Sequence, residues 1–192
     1  MKAADLPTDY NICEILEHNL KNRSDKTALW SEYGQFTFRE VSEQVNKVGN
    51  ALTRLGIGFG ECVAILCPDR PEWVSTFFAT TKIGGVALGM NTMLTTEEYD
   101  YILKDARVRV LVIYENLLSL VEPILSNHKM LTKVIVIGEK ENANYTSFSN
   151  WINDEDTKLE TVQTHRDDFC SLHYSSGTTG MPKGVFLSLI HI

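Results

Sequence analysis

No apolar run in this chain approaches the roughly 18 residues that a membrane-spanning helix needs, so no membrane span is predicted. The opening stretch, MKAADLPTDYNICEILEHN, carries acidic residues where a secretory signal would place its apolar core. The chain therefore reads as cytoplasmic. Positive charge is in deficit: 18 Lys and Arg against 25 Asp and Glu leave a net charge of −7. That argues against a nucleic-acid partner, which needs a basic face. It leaves small phosphorylated ligands open, because a local cluster can oppose the global sign. Cysteine is scarce, and Cys13, Cys62, Cys67 and Cys170 show neither Cys-x-x-Cys spacing nor an accompanying histidine pattern. A zinc site is not indicated, and the four read as small buried thiols in a reducing compartment. Asp167 and Asp168 are not accompanied by a third ligand, so no metal site is assigned and the pair reads as a solvated turn. His18, His128 and His165 read as surface residues, and His173 as a packed strand histidine. No internal repeat is visible.

What is present is a regular alternation. Ile12, Ile15, Leu16 and Leu20 fall at helical spacing within an otherwise irregular lead-in, residues 1–36. Thr37-Phe-Arg-Glu40 has capping-box form and opens an apolar stripe through Phe38, Val41, Val45, Val48, Leu52 and Leu55, with Gly56 placed to end the helix. Cys62–Leu66 is a short continuous apolar run, as a strand buried on both faces requires. Pro71 suits the first turn of a helix carrying Trp73, Val74, Phe77, Phe78 and Ile83. Val86–Leu88 is the next strand candidate. Thr95 to Glu98 is a second capping box, and Val108–Tyr114 a further strand. Leu117–Leu125 is helical with a break near Pro123, and Val134–Ile137 is strand again. This order predicts an α/β fold of β-α-β units, a mostly parallel sheet with helices on both faces. The organisation predicted is a lead-in (1–36), an α/β subdomain (37–150), a polar connection (151–168) and the start of a second subdomain (169–192). The polar stretch from residue 138 holds one helical turn near Phe148 and Trp151.

Phe169–Ser175 then reads as a strand, and Val185–Leu189 as another. Between them lies the densest chemistry of the chain. Residues 174–185 read YSSGTTGMPKGV, with Gly177, Gly180 and Gly184, the hydroxyls Ser175, Ser176, Thr178 and Thr179, and Lys183 within ten positions. Such composition suits either a flexible loop or an anion site, in which successive backbone N–H groups, hydroxyls and one ammonium face a phosphate. The Gly-x-x-x-x-Gly-Lys-Ser/Thr spacing is absent, and so is Gly-x-Gly-x-x-Gly.

The ordered string is more specific than its composition. It resembles the signature of the adenylate-forming superfamily of acyl-CoA synthetases, peptide-synthetase adenylation domains and luciferases. Tyr174 to Val185 match that pattern at every defined position. The likeness extends through Gly60-Glu61-Cys62-Val63-Ala64-Ile65, Glu72-Trp73 and Lys82-Ile83-Gly84-Gly85. Asn91 to Thr95 with Glu98-Tyr99, and YNICEILEHNL near the start, are similar to the benzoate-CoA ligase branch. The resemblance implies an AMP-forming acid-CoA ligase acting on an aromatic acid such as benzoate. A carboxylate would attack the α-phosphorus of Mg2+-bound ATP, giving acyl-adenylate and pyrophosphate, and coenzyme A would then displace AMP. It implies that Ser175, Ser176, Gly177, Thr178, Thr179, Gly180, Lys183 and Gly184 hold the ATP phosphates, with Lys183 the catalytic cation.

Past Gly184-Val185 the family pattern has a hydroxyl residue and then histidine; here Ser188 fits, Leu189 stands at the histidine position, and His191 follows two places later. The family continues for several hundred residues, so the chain reads as an N-terminal fragment that does not complete adenylation alone. Alternatives are a fatty-acyl ligase, a carrier-loading adenylation domain, or a non-catalytic nucleotide-binding protein on the same scaffold. Oligomeric state is not encoded legibly.

Overall fold

The computed structural model describes residues 7–175 and 180–191. The chain builds β1 (Thr27–Ser31), β2 (Gly34–Thr37), β3 (Cys62–Leu66), β4 (Val86–Gly89), β5 (Val110–Tyr114), β6 (Lys133–Ile137), β7 (Tyr145–Ser147), β8 (Phe169–Ser175) and β9 (Lys183–Ser188). The helices are α1 (Glu14–Arg23), α2 (Phe38–Arg54), α3 (Pro71–Lys82), α4 (Thr96–Asp105), α5 (Leu118–Val121) and α6 (Phe148–Ile152).

Both predicted capping boxes form. The Thr37 hydroxyl accepts from the Glu40 amide while the Glu40 carboxylate takes the Thr37 amide at 2.7 Å, starting α2. Thr95 and Glu98 do the same for α4. The break near Pro123 is real: α5 gives way to a 3-10 turn over Glu122–Asn127.

Seven strands form one sheet in the order β7-β6-β5-β3-β4-β8-β9. All neighbours are parallel except β8 and β9. Strand side chains alternate between faces. Val63, Ile65, Val110, Val112, Ile135 and Ile137 meet α2, α3 and α6 on one face. Ala64, Leu66, Leu88, Leu111, Ile113 and Val136 meet α4 and α5 on the other. The predicted α/β architecture is thus the observed one.

Several local readings change. Besides the helix α1, the lead-in contributes two strands: β1 and β2 pair as an antiparallel hairpin that ends at Thr37. The β9 strand starts at Lys183, two residues before the predicted Val185, because Ser175 pairs with Lys183. On α3 the fully buried side chains are Ser75, Thr76, Ala79 and Thr80, while Trp73, Val74, Phe77 and Phe78 are half-buried. The hydroxyls reach burial because Thr76 and Thr80 donate to carbonyls four residues back, at 2.7 and 2.8 Å. Residues 153–164 run as a strap over α2 and α3. Asn46 and Asn50 donate to the carbonyls of Thr157 and Asp156, and the Val162 amide donates to the Lys82 carbonyl.

Candidate functional site

In an open α/β sheet, ligands bind beyond the carboxyl ends of the strands, where neighbouring connections depart to opposite faces. Here β3 leaves through α3 on one face and its neighbour β4 through α4 on the other. β8 lies beside β4 and parallel to it, with Leu88 opposite Leu172. Ser175 therefore ends β8 at that same carboxyl edge.

Ser175 and Lys183 face each other as the last pair of the antiparallel β8–β9 ladder, and both are exposed. Lys183 makes no ion pair with any described residue. A hydroxyl and an ammonium thus stand side by side at the mouth of the hairpin. Gly180 has φ +124, a conformation that L side chains rarely adopt, and among the described residues nothing lies within 4 Å of the position its Cβ would take. Its glycine is a backbone requirement rather than a packing one. Ser176, Gly177, Thr178 and Thr179 lie outside the described residues.

Gly184 has a different reason for being glycine. It sits in β9 opposite Tyr174, and a Cβ there would lie 3.0 to 3.2 Å from the phenol ring. The Tyr174 hydroxyl donates to Asp105 Oδ2 at 2.6 Å. Burial and then the Asp105 carboxylate raise the Tyr174 pKa, so the phenol remains a donor at neutral pH. Sequence reading did not single out Asp105, which lies 69 residues from Tyr174 and looks like an ordinary helix end. His173 is exposed rather than packed, with Nε2 3.1 Å from Ser171 Oγ. His128 departs the other way: its side chain is 6% exposed and meets Asp100 at 3.0 Å. Ser188 and His191, which flank the departure at Leu189, contact each other, Oγ to Nδ1 at 2.9 Å.

The candidate site is thus a hairpin mouth at the carboxyl edge of a mostly parallel sheet, and the family model for AMP-binding enzymes matches residues 16–190. The chain belongs to the AMP-binding enzyme family. It is 33% identical to the benzoate–CoA ligase of Thauera aromatica, over 98% of this chain and 36% of that protein. It is 32% identical to a long-chain-fatty-acid–CoA ligase of Thermus thermophilus, over 82% of this chain and 28% of that protein. Among solved structures, the anthranilate CoA ligase AuaEII in complex with anthranoyl-AMP superposes with a TM-score of 0.96 at 50% identity, covering 99% of this chain and 37% of that one. The chain spans about a third of the length of these AMP-binding relatives. Among the described residues, no helix is long and apolar enough to cross a membrane, and no cluster of three His, Cys, Asp or Glu could hold a metal ion.

Proposed function

We propose that the whole protein is an AMP-forming acid–CoA ligase for an aromatic carboxylic acid of the benzoate or anthranilate type. The observation that carries this is the β8–β9 mouth: Ser175 and Lys183, which has no ion-pair partner among the described residues, flank the segment whose sequence matches the family signature, at the carboxyl edge of the sheet. In this reading the loop and Lys183 hold the β- and γ-phosphates of ATP while the carboxylate attacks the α-phosphorus. The protein's task is positioning and charge stabilisation, which dominate phosphoryl-type transfers. Mg2+ enters with the nucleotide, held chiefly by its phosphates, as this ion commonly is. Coenzyme A is the second substrate and takes the acyl group from the adenylate.

The aromatic preference is supported by the likeness to the benzoate and anthranilate ligases. A fatty-acyl reading draws on the Thermus relative at almost the same identity as the Thauera one. These 192 residues, a third of a ligase, are proposed not to complete adenylation alone. The requirement for ATP and coenzyme A, together with four free thiols, fits a cytoplasmic enzyme. The test is ATP–pyrophosphate exchange by the whole protein with a panel of acids. Benzoate or anthranilate should stimulate exchange and palmitate should not. Stimulation by palmitate alone would overturn the aromatic reading, and no stimulation by any acid would overturn the ligase reading.

A further inference from the structure

We propose that Tyr174 and Asp105 are positioning residues, whose hydrogen bond fixes the attitude of the β8–β9 hairpin and so of Ser175 and Lys183 at its mouth. The inference rests on the nucleotide reading above for the identity of the ligand, and on geometry for the rest.

β8 pairs with β4 only through Ala87 with Ser171 and Leu88 with Leu172. β4 ends at Gly89, level with His173, so Tyr174 and Ser175 run past their supporting neighbour, by about 7 Å at ~3.3 Å per residue. On the other side, β9 is the outermost described strand, and Lys183 to Phe186 are exposed. The loop-bearing half of the hairpin is an arm held mainly by its own ladder. Among the described residues, the bond from the Tyr174 hydroxyl to Asp105 is the one side-chain hydrogen bond that ties this arm to the body. The others close within the hairpin, Cys170 Sγ to the Leu187 carbonyl and Ser171 with His173.

Two further observations make the tie look built. Asp105 is the last residue of α4, where the helix dipole disfavours a carboxylate. A short charge-assisted bond offsets that penalty. The ring of Tyr174 lies flush against Gly184, so a larger residue there would push the phenol away from Asp105. Tyr174, Asp105, Leu172 and Gly184 also line a cavity of about 470 Å3, which leaves the arm room to swing if the bond is lost. A site loop needs to be held to roughly 0.5 Å, and Tyr174 is adjacent to the first phosphate-loop hydroxyl.

The experiment uses the whole protein. Tyr174→Phe keeps the ring on Gly184 and deletes the hydroxyl. It should raise the KM for ATP about five- to twentyfold, with the KM for the carboxylic acid changed less than about twofold. Asp105→Leu should reproduce this, while Asp105→Asn, which keeps an acceptor oxygen, should stay near the parent. Tyr174→Phe with Asp105→Leu should be no worse than either alone, because both remove one interaction. A lower Tm with unchanged KM for ATP, or additive effects, would overturn the proposal in favour of a merely structural contact. Amide exchange without nucleotide separates the two readings. Tyr174→Phe should speed exchange at His173–Ser175 and Lys183–Phe186 and leave β3 and β5 unchanged. Faster exchange in a protein that shows no acid-dependent ATP–pyrophosphate exchange would keep the tether and defeat the ligase reading. Unchanged exchange in an active ligase would defeat the tether alone.

Discussion

Burial pushes the thiols of Cys13, Cys62 and Cys67 each up to about 12. At pH 8 the thiolate fraction of such a group is only about one in ten thousand. The thiolate is the nucleophile, and these sulfurs are also inaccessible. Cys170 is half-buried, and burial raises its pKa as well, but its sulfur is the least enclosed of the four. Iodoacetamide at about pH 8 should therefore modify Cys170 first in the native protein, and the other three only after unfolding. Mapping of modified peptides checks this; labelling of Cys62 ahead of Cys170 would contradict the burial assigned to it. The same scale explains two glycines of one motif by two causes. Gly180 is required by its backbone angle, whereas Gly184 makes room for an aromatic ring.

Helices α1 and α3 are joined by one ion pair. The Lys82 side chain is 3% exposed, and its ammonium meets Glu17 at 2.6 Å. The Thr161 hydroxyl donates to the same carboxylate at 2.6 Å, so the strap over 153–164 shares the anchor. Burial pushes the Glu17 pKa up, but the Lys82 and Thr161 hydrogen bonds outweigh it and leave the carboxyl below its ordinary value. A carboxyl depressed in the folded state contributes stability that is complete above its unfolded pKa and is lost as pH falls through the folded one. Glu17→Gln leaves a buried ammonium without its counter-charge. It should cost about 1–3 kcal/mol near neutral pH. The deficit should shrink from about pH 5 downwards, as the parent's own Glu17 takes up a proton. Thermal unfolding of parent and variant across that range reads the difference; a deficit that stays constant with pH would contradict the charge-pair account.

Elements were legible where their signal is local. Both capping boxes, and the apolar runs of β3, β5 and β6, state their structure in consecutive residues. The β1–β2 hairpin was not, because its two-residue turn is Glu32-Tyr33, without the Asn-Gly or Asp-Gly signal, and its strands are only partly buried. The burial of Thr76 and Thr80 in α3 was not legible, because threonines bonded to their own helix carbonyls pack like apolar residues. β7, at three residues, is too short to show a period. The family signature from Tyr174 to Val185 was readable as a contiguous string, whereas Asp105 was not, since only the fold brings it to Tyr174.

For the whole molecule, sheet order decides where chemistry can occur. The reversal of connections at β3 and β4 opens one edge, and β8 delivers Ser175 to it beside β4. A chain with net charge −7 thus presents at that edge a lysine that makes no ion pair with any described residue, and under the proposed function this lysine meets a polyphosphate. Removing one charge-assisted hydrogen bond to phosphate costs roughly 1.5–3 kcal/mol. In the whole protein, Lys183→Ala should therefore slow acid-dependent ATP–pyrophosphate exchange by about ten- to more than a hundredfold. Exchange at the parent rate in that variant would contradict the assignment of the β8–β9 mouth as the triphosphate site.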